Sequence, residues 1–184
     1  MTVIIAQRTP DLITFATDSQ GTSGYVKQRI QKLEVIDDML VATTGTMAQM
    51  SLLRTFCHEN AIKTADHKGV SNFFIEFYKW QREFMNKWPE EMNNYLLAKE
   101  MKLFYVASLQ IDEISDVKAC GTGREAAMGA LNAGCTIREA VEAACDIDLY
   151  CSAPIMMGTM TTKRIEVDKL GGTKEIHKIK VTYK

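Results

Sequence analysis

The hydrophobic positions of this chain change period several times, and each change marks a predicted element. Thr2 to Ala6 is a β-branched apolar run, Thr9-Pro10-Asp11 is a turn, and Leu12 to Ala16 is a second run ending at Asp18, so the chain opens with a predicted hairpin. A loop containing Gly21 and Gly24 leads to Ile30–Ile36, where Ile30, Lys32, Glu34 and Ile36 form one strand face and Gln31, Leu33 and Val35 the other. Asp37-Asp38 then turns into a fourth strand over Met39 to Thr43. After Gly45 the period lengthens: Met47, Met50, Leu52, Leu53 and Phe56 fit a helix through about Ile62. A second helical stretch begins near Val70 and carries Phe73, Phe74, Phe77, Trp80, Phe84 and Trp88, an aromatic stripe at core spacing that also suits contact with a neighbouring subunit. Pro89-Glu90-Glu91 has the form of a fresh helix start.

The alternation then repeats. Leu103 to Gln110 and Ser115 to Ala119 predict a second pair of strands, followed by Gly121-Thr122-Gly123 and a helix from Arg124 to Asn132. Gly134 fits a helix C-terminus, and Thr136-Ile137-Arg138-Glu139 matches a capping box at the start of a helix carrying Ala140, Val141, Ala143, Ala144 and Ile147. Ile155 to Thr161, Lys163 to Val167 and Glu175 to Tyr183 predict further strand. Strand pairs followed by helix pairs, twice over, predict a mixed α/β chain of the α+β kind, with two stacked sheets and helices outside. No repeat or low-complexity tract interrupts the pattern.

Composition narrows the function classes. A chain of 184 residues suits one domain over 1–184, and at this size roughly 70 % of the unfolded surface is buried without staples. Net charge is −1 and the 22 basic residues are scattered, which argues against nucleic-acid binding. No apolar run approaches a membrane span and no signal peptide is evident, so a cytoplasmic protein is expected. Five cysteines without CxxC spacing fit core thiols better than disulfides or a zinc site. Cys57-His58 are adjacent on a predicted helix and do not face each other, which argues against a thiol–imidazole pair.

The candidate chemistry starts at Thr2. Methionine aminopeptidase usually removes Met1 before a small side chain, leaving a threonine whose own α-amine can take the hydroxyl proton. Such an amine titrates near about 7.7 to 8.0, so a modest downward shift makes it a base at neutral pH, and a nearby lysine ammonium supplies that shift.

From Thr2 to about Ser152 the residues resemble the proteasome β-subunit superfamily of N-terminal nucleophile (Ntn) hydrolases, and within it the HslV (ClpQ) peptidases. Thr2-Val3-Ile4-Ile5-Ala6 is similar to the family's first strand. Asp18 falls without a gap on the family's aspartate, and Lys32 matches its lysine after a slightly shortened loop. Gly45 lies where the family opens its first helix with a G-x-x-A-D-like motif, although Gln49 replaces the aspartate. Ala119-Cys120-Gly121-Thr122-Gly123 is similar to a G-S-G turn with Thr122 in place of serine, and Asp146 lies in a segment similar to A-G-D-I-C-I-Y.

The resemblance implies a four-layer α-β-β-α sandwich and a threonine-type endopeptidase acting through an acyl-enzyme on Thr2. Lys32 would tune the amine and Asp18 would hold the ammonium. The Gly45 N–H would form part of the oxyanion hole, and Asp146 and the Thr122 hydroxyl would support the amine. It implies no cofactor for the chemistry, and a structural Na, K or Mg ion on the backbone carbonyls of Cys145, Asp148 and Cys151. It also implies a homo-oligomeric ring, a hexamer or stacked rings, acting on polypeptides fed by an AAA+ unfoldase. Two alternatives stay open: a structural ring that retains Met1, since an acylated nitrogen is no base, and an Ntn amidase acting on a small substrate. The tail beyond Ser152 does not match HslV.

Overall fold

The computed structural model describes residues 2–86, 92–170 and 176–182. Six strands precede the first helix: β1 (Val3–Arg8), β2 (Ile13–Thr17), β3 (Gln20–Ser23), β4 (Val26–Arg29), β5 (Leu33–Ile36) and β6 (Met39–Thr44). Helices α1 (Met47–Cys57) and α2 (His67–Met85) follow, then β7 (Asn94–Lys99), β8 (Lys102–Ala107), β9 (Gln110–Ile114) and β10 (Val117–Gly121). Helices α3 (Arg124–Asn132) and α4 (Ile137–Ile147) lead to β11 (Met156–Met160), β12 (Arg164–Leu170) and β13 (Ile176–Thr182). One sheet has the order β10-β1-β2-β11-β12-β13, a second the order β5-β6-β7-β8-β9, and β3-β4 is a separate hairpin. Every pairing is antiparallel.

The period of two sorts the strand residues into layers. In β1, Ile4 and Ala6 pack between the sheets while Val3 and Ile5 pack under α3 and α4. In β6, Leu40 and Ala42 face the other sheet while Met39 and Val41 meet α1 and α2; β7 divides the same way, with Leu96 and Ala98 inward and Tyr95 and Leu97 outward. Strands buried on both faces require cover on both, so the chain forms helices, sheet, sheet, helices. That is the expected α-β-β-α sandwich.

Each helix start is fixed locally. Thr46 caps α1 by accepting the Gln49 N–H, Asp66 caps α2 by accepting the Gly69 N–H at 2.7 Å, and the capping box of α4 forms, with the Thr136 N–H donating to Glu139 Oε2 at 2.7 Å. The aromatic stripe is core over Phe73, Phe74 and Phe77, which pack with Phe56 and Tyr95, while Phe84 is exposed and stacks on Trp80.

The structure departs from the sequence pattern in five places, the first being β9, which falls between the strands expected over Leu103 to Gln110 and Ser115 to Ala119. The Gly21–Gly24 loop is the β3-β4 hairpin, with Gln20 opposite Arg29. Ile30–Lys32 precede the regular part of the predicted strand, because Ile30 N–H donates to the Ser19 carbonyl and Lys32 O accepts from Thr43 N–H, so these residues bridge two strand systems. Helix α1 ends at Cys57 instead of Ile62. Asn94–Lys99 is a central strand with no predicted counterpart, a short apolar run without alternation. Trp88 and the helix start expected at Pro89-Glu90-Glu91 lie outside the described residues. The tail beyond Ser152 supplies β11, β12 and β13, half the strands of the first sheet.

Candidate active site

Thr2 sits at the start of β1, where the strand is gripped from both sides. Val3 pairs with Gly121 of β10, and the Thr2 carbonyl accepts the Gly123 N–H at 3.3 Å with the Thr122 hydroxyl at 3.5 Å. Gly121 has φ +93, and a Cβ there would fall 2.0 Å from the Thr2 carbonyl oxygen, so the turn tolerates only glycine at that contact.

The Thr2 side chain, Asp18 and Lys32 are all buried, and they form one hydrogen-bonded group. The Thr2 hydroxyl donates to Asp18 Oδ1 at 2.9 Å, the Lys32 ammonium donates to the same oxygen at 2.7 Å, and Lys32 Nζ also donates to Thr2 Oγ1. Asp18 is further held by backbone N–H groups, from Val3 at 3.0 Å on Oδ1 and from Gln20 at 2.9 Å and Ser152 at 3.3 Å on Oδ2. Burial lowers the Lys32 ammonium pKa below its ordinary value, outweighing the opposing pull of Asp18. A hydroxyl flanked in this way can lose its proton at modest cost, because the adjacent ammonium stabilises the alkoxide.

A cavity of about 390 Å³ opens over this group, lined among others by Thr2, Lys32, Thr22, Ile30, Gly45 and Met47. Gly45 follows β6 and precedes the Thr46 cap of α1, so a peptide at a helix entrance lines the same cavity as Thr2.

Thr2, Asp18, Lys32, Gly45 and Thr122 are therefore brought to one place, and Asp146 is not. It is exposed on the last turn of α4. The buried face of that helix runs through Ala140 and Ala144, and the residue four positions further on is Asp148. Burial raises the pKa of the Asp148 carboxyl, and hydrogen bonds from the Thr122 hydroxyl, Tyr150 N–H and Cys151 thiol outweigh it, so the group titrates below its ordinary value. Asp148, which the sequence pattern offered only as a carbonyl ligand, is the carboxylate on the Thr122 side. Its position four residues after Ala144 is the signal that finds it.

As for a cation, the Asp148 carbonyl already accepts the Cys151 N–H at 3.0 Å, and no cluster of three His, Cys, Asp or Glu side chains exists among the described residues. Burial raises the Cys57, Cys120 and Cys145 thiol pKa values to about 12 and Cys151 further still, so none is a ready thiolate. Among the described residues no helix is long and apolar enough to cross a membrane.

This architecture is the Ntn-hydrolase fold of the proteasome β-subunit and HslV type. It is similar to Thiobacillus denitrificans BPH in complex with epoxomicin, at 18 % identity and a TM-score of 0.76 over 87 % of this chain and 98 % of that one. Anbu (ancestral beta-subunit) from Yersinia bercovieri superposes with a TM-score of 0.72 at 13 % identity, covering 86 % of this chain and 81 % of Anbu. HslV from Trypanosoma brucei gives 0.67 at 20 % identity, covering 86 % and 99 %. No protein-family model and no curated protein matches the sequence.

The hydrogen bonding predicts an asymmetry between two variants. Asp18→Ala leaves a buried ammonium with little beyond the Thr2 hydroxyl and should cost about 3 to 5 kcal/mol. Lys32→Met leaves a carboxylate that keeps the Thr2 hydroxyl and three backbone donors, and should cost less. Denaturant unfolding of the two variants measures the difference; equal losses would contradict the asymmetry.

Proposed function

We propose that this chain is a threonine-type peptidase whose nucleophile is Thr2 after removal of Met1. The observation that carries the reading is the buried Thr2–Asp18–Lys32 group at the floor of an open cleft. The α-amine of Thr2 takes the hydroxyl proton as Oγ1 attacks the substrate carbonyl, and Lys32 keeps that amine neutral by like-charge repulsion. The Gly45 N–H faces the developing oxyanion, a contact whose removal costs about 3 to 4 kcal/mol in other enzymes. The amine returns its proton to the leaving nitrogen, and water then hydrolyses the threonyl ester. Asp148 and Thr122 steady the amine end of the site in the role expected of Asp146. No step passes through a cation.

Ring assembly belongs to the same proposal. Tyr25, Val26, Ile147 and Leu149 are strongly exposed, the first two on the β3-β4 hairpin whose Thr22, Gly24 and Gln28 line the cleft, as surfaces of a subunit contact are in isolation. A site enclosed in a ring would act on unfolded polypeptides, with folded ones delivered by an ATP-driven unfoldase.

Epoxomicin, held by the Thiobacillus protein, is the direct probe. It should add one equivalent of mass at Thr2 of the purified protein. Thr2→Ala should abolish both the adduct and the cleavage of fluorogenic peptides while leaving the light-scattering mass of the ring unchanged. Peptide turnover by Thr2→Ala, or an adduct on a cysteine, would reject the assignment.

The pH dependence has a definite sign. As pH falls the α-amine is protonated and ceases to be a base; as pH rises through the lowered pKa of Lys32 the stabilising ammonium is lost. A bell-shaped kcat/KM profile is expected, its alkaline limb below the ordinary lysine range and shifted upward in Lys32→Arg. A rate still level in the ordinary lysine range would contradict the role of Lys32.

A further inference from the structure

Just beyond the point where β6 and β7 stop pairing, Asn93 faces Gly45 across the end of the sheet, one residue past the Thr44–Asn94 pair. It is 1 % exposed, and each polar group of its side chain is engaged with the β6–α1 turn. Oδ1 accepts the Thr46 N–H at 2.7 Å, while Nδ2 donates to the Thr46 carbonyl at 2.8 Å and to Thr43 Oγ1 at 3.0 Å. Asn93 is anchored in turn by its own N–H, which donates to Gln49 Oε1 at 2.9 Å from inside α1. Gly45 itself has φ +113, and a Cβ there would lie 2.1 Å from Asn93 Oδ1, so amide and glycine backbone are in direct contact. Thr43, Gly45 and Thr46 all line the cleft over Thr2.

We infer that Asn93 is a positioning residue for the oxyanion-binding peptide, a clamp that fixes the Thr43–Thr46 turn so that the Gly45 N–H points at the reacting carbonyl. The inference rests on the peptidase reading of the cleft. It follows from what a left-handed peptide next to a helix cap needs. Gly45 lies between Thr44, the last ladder residue of β6, and Thr46, whose carbonyl accepts the first helix bond of α1, so it belongs to neither system, and a donor misplaced by about 1 Å can cost a hundredfold in rate. The primary amide of Asn93 offers two donors and one acceptor on one rigid plane, which matches the Thr46 N–H, the Thr46 carbonyl and the Thr43 hydroxyl together. The buried glutamine at position 49, where the family pattern has an aspartate, acquires a role as well: its carbonyl oxygen takes the Asn93 N–H. Asn93 touches neither substrate nor nucleophile, so its effect falls on kcat, through the transition state, with little change in KM.

The test combines three readouts on the processed full-length protein. Asn93→Ala should lower kcat for a fluorogenic peptide roughly 10- to 100-fold with KM near wild type, and should raise amide hydrogen exchange across residues 43–47. Gln49→Leu, which removes the anchor of the clamp and leaves the Asn93 side chain in place, should show the same pattern more weakly, and it decides the matter if Asn93→Ala does not fold. Wild-type kcat and unchanged exchange in the folded variant would overturn the inference, as would a defect confined to KM. Epoxomicin labelling of the wild-type protein separates the two levels. If Thr2 is never labelled, the peptidase reading and the catalytic consequence both fall, while the exchange measurement alone still decides whether Asn93 holds the turn.

Discussion

One buried carboxylate holds the site together. Asp18 receives the Thr2 hydroxyl, the Lys32 ammonium and the N–H groups of Val3, Gln20 and Ser152, so strand β1, the start of β3, the approach to β5 and the segment before β11 all meet on two oxygen atoms. Taking a carboxylate and an ammonium out of water costs several kcal/mol per ion and is tolerable only where the remaining lone pairs and protons find partners. For the carboxylate the site meets that condition with three backbone donors, which side-chain variation cannot remove, besides the Thr2 hydroxyl. The result is a nucleophile whose rotamer is fixed before any substrate arrives.

The sandwich makes this convergence geometrically available. Because β1 is an interior strand of its sheet and buried on both faces, the chain at its start is delivered to a fixed point, with β10 on one side and β2 on the other. The second sheet contributes from the opposite layer, sending β6 into the Gly45 turn and carrying Lys32 in on the segment that bridges Ser19 and Thr43. Helices α3 and α4 seal the outer face of the first sheet, and the end of α4 brings Asp148 to the Thr122 turn. Each chemical group thus comes from the end of a rigid element, the placement that keeps a constellation within fractions of an ångström.

How much of this was legible in the sequence depended on the range of the interaction. β1, β2, β6, α3, α4 and the three strands of the tail follow from period and punctuation, and the α-β-β-α layering follows from strands apolar on both faces. Strand β7 escaped because Tyr95-Leu96-Leu97-Ala98 is apolar without alternation, and the β3-β4 hairpin escaped because most of its residues are polar and six of the eight are exposed, with pairing the signal. At the site, Thr2 is marked by the Met1-Thr2 start, whereas Asp18, Lys32 and Gly45 could be named only through the family resemblance, since nothing in a lone lysine or glycine marks it out. The choice of Asp146 over Asp148 followed a segment match, whereas Asp146 is exposed on the last helical turn and Asp148, the half-buried C-cap four residues after Ala144, reaches the Thr122 turn. Asn93 carried no local signal at all: its partners are 44 to 50 positions away, and only the register of β6 on β7 brings them together.

The central claim is that the amine of Thr2 is free in the working protein. The direct measurement is the intact mass of the protein isolated from the cells that make it, with a fragment spectrum of its N-terminal peptide. The account predicts loss of one methionine and a peptide beginning with unmodified Thr2. A retained Met1 or an acylated Thr2 would contradict it, since neither leaves a base beside the hydroxyl.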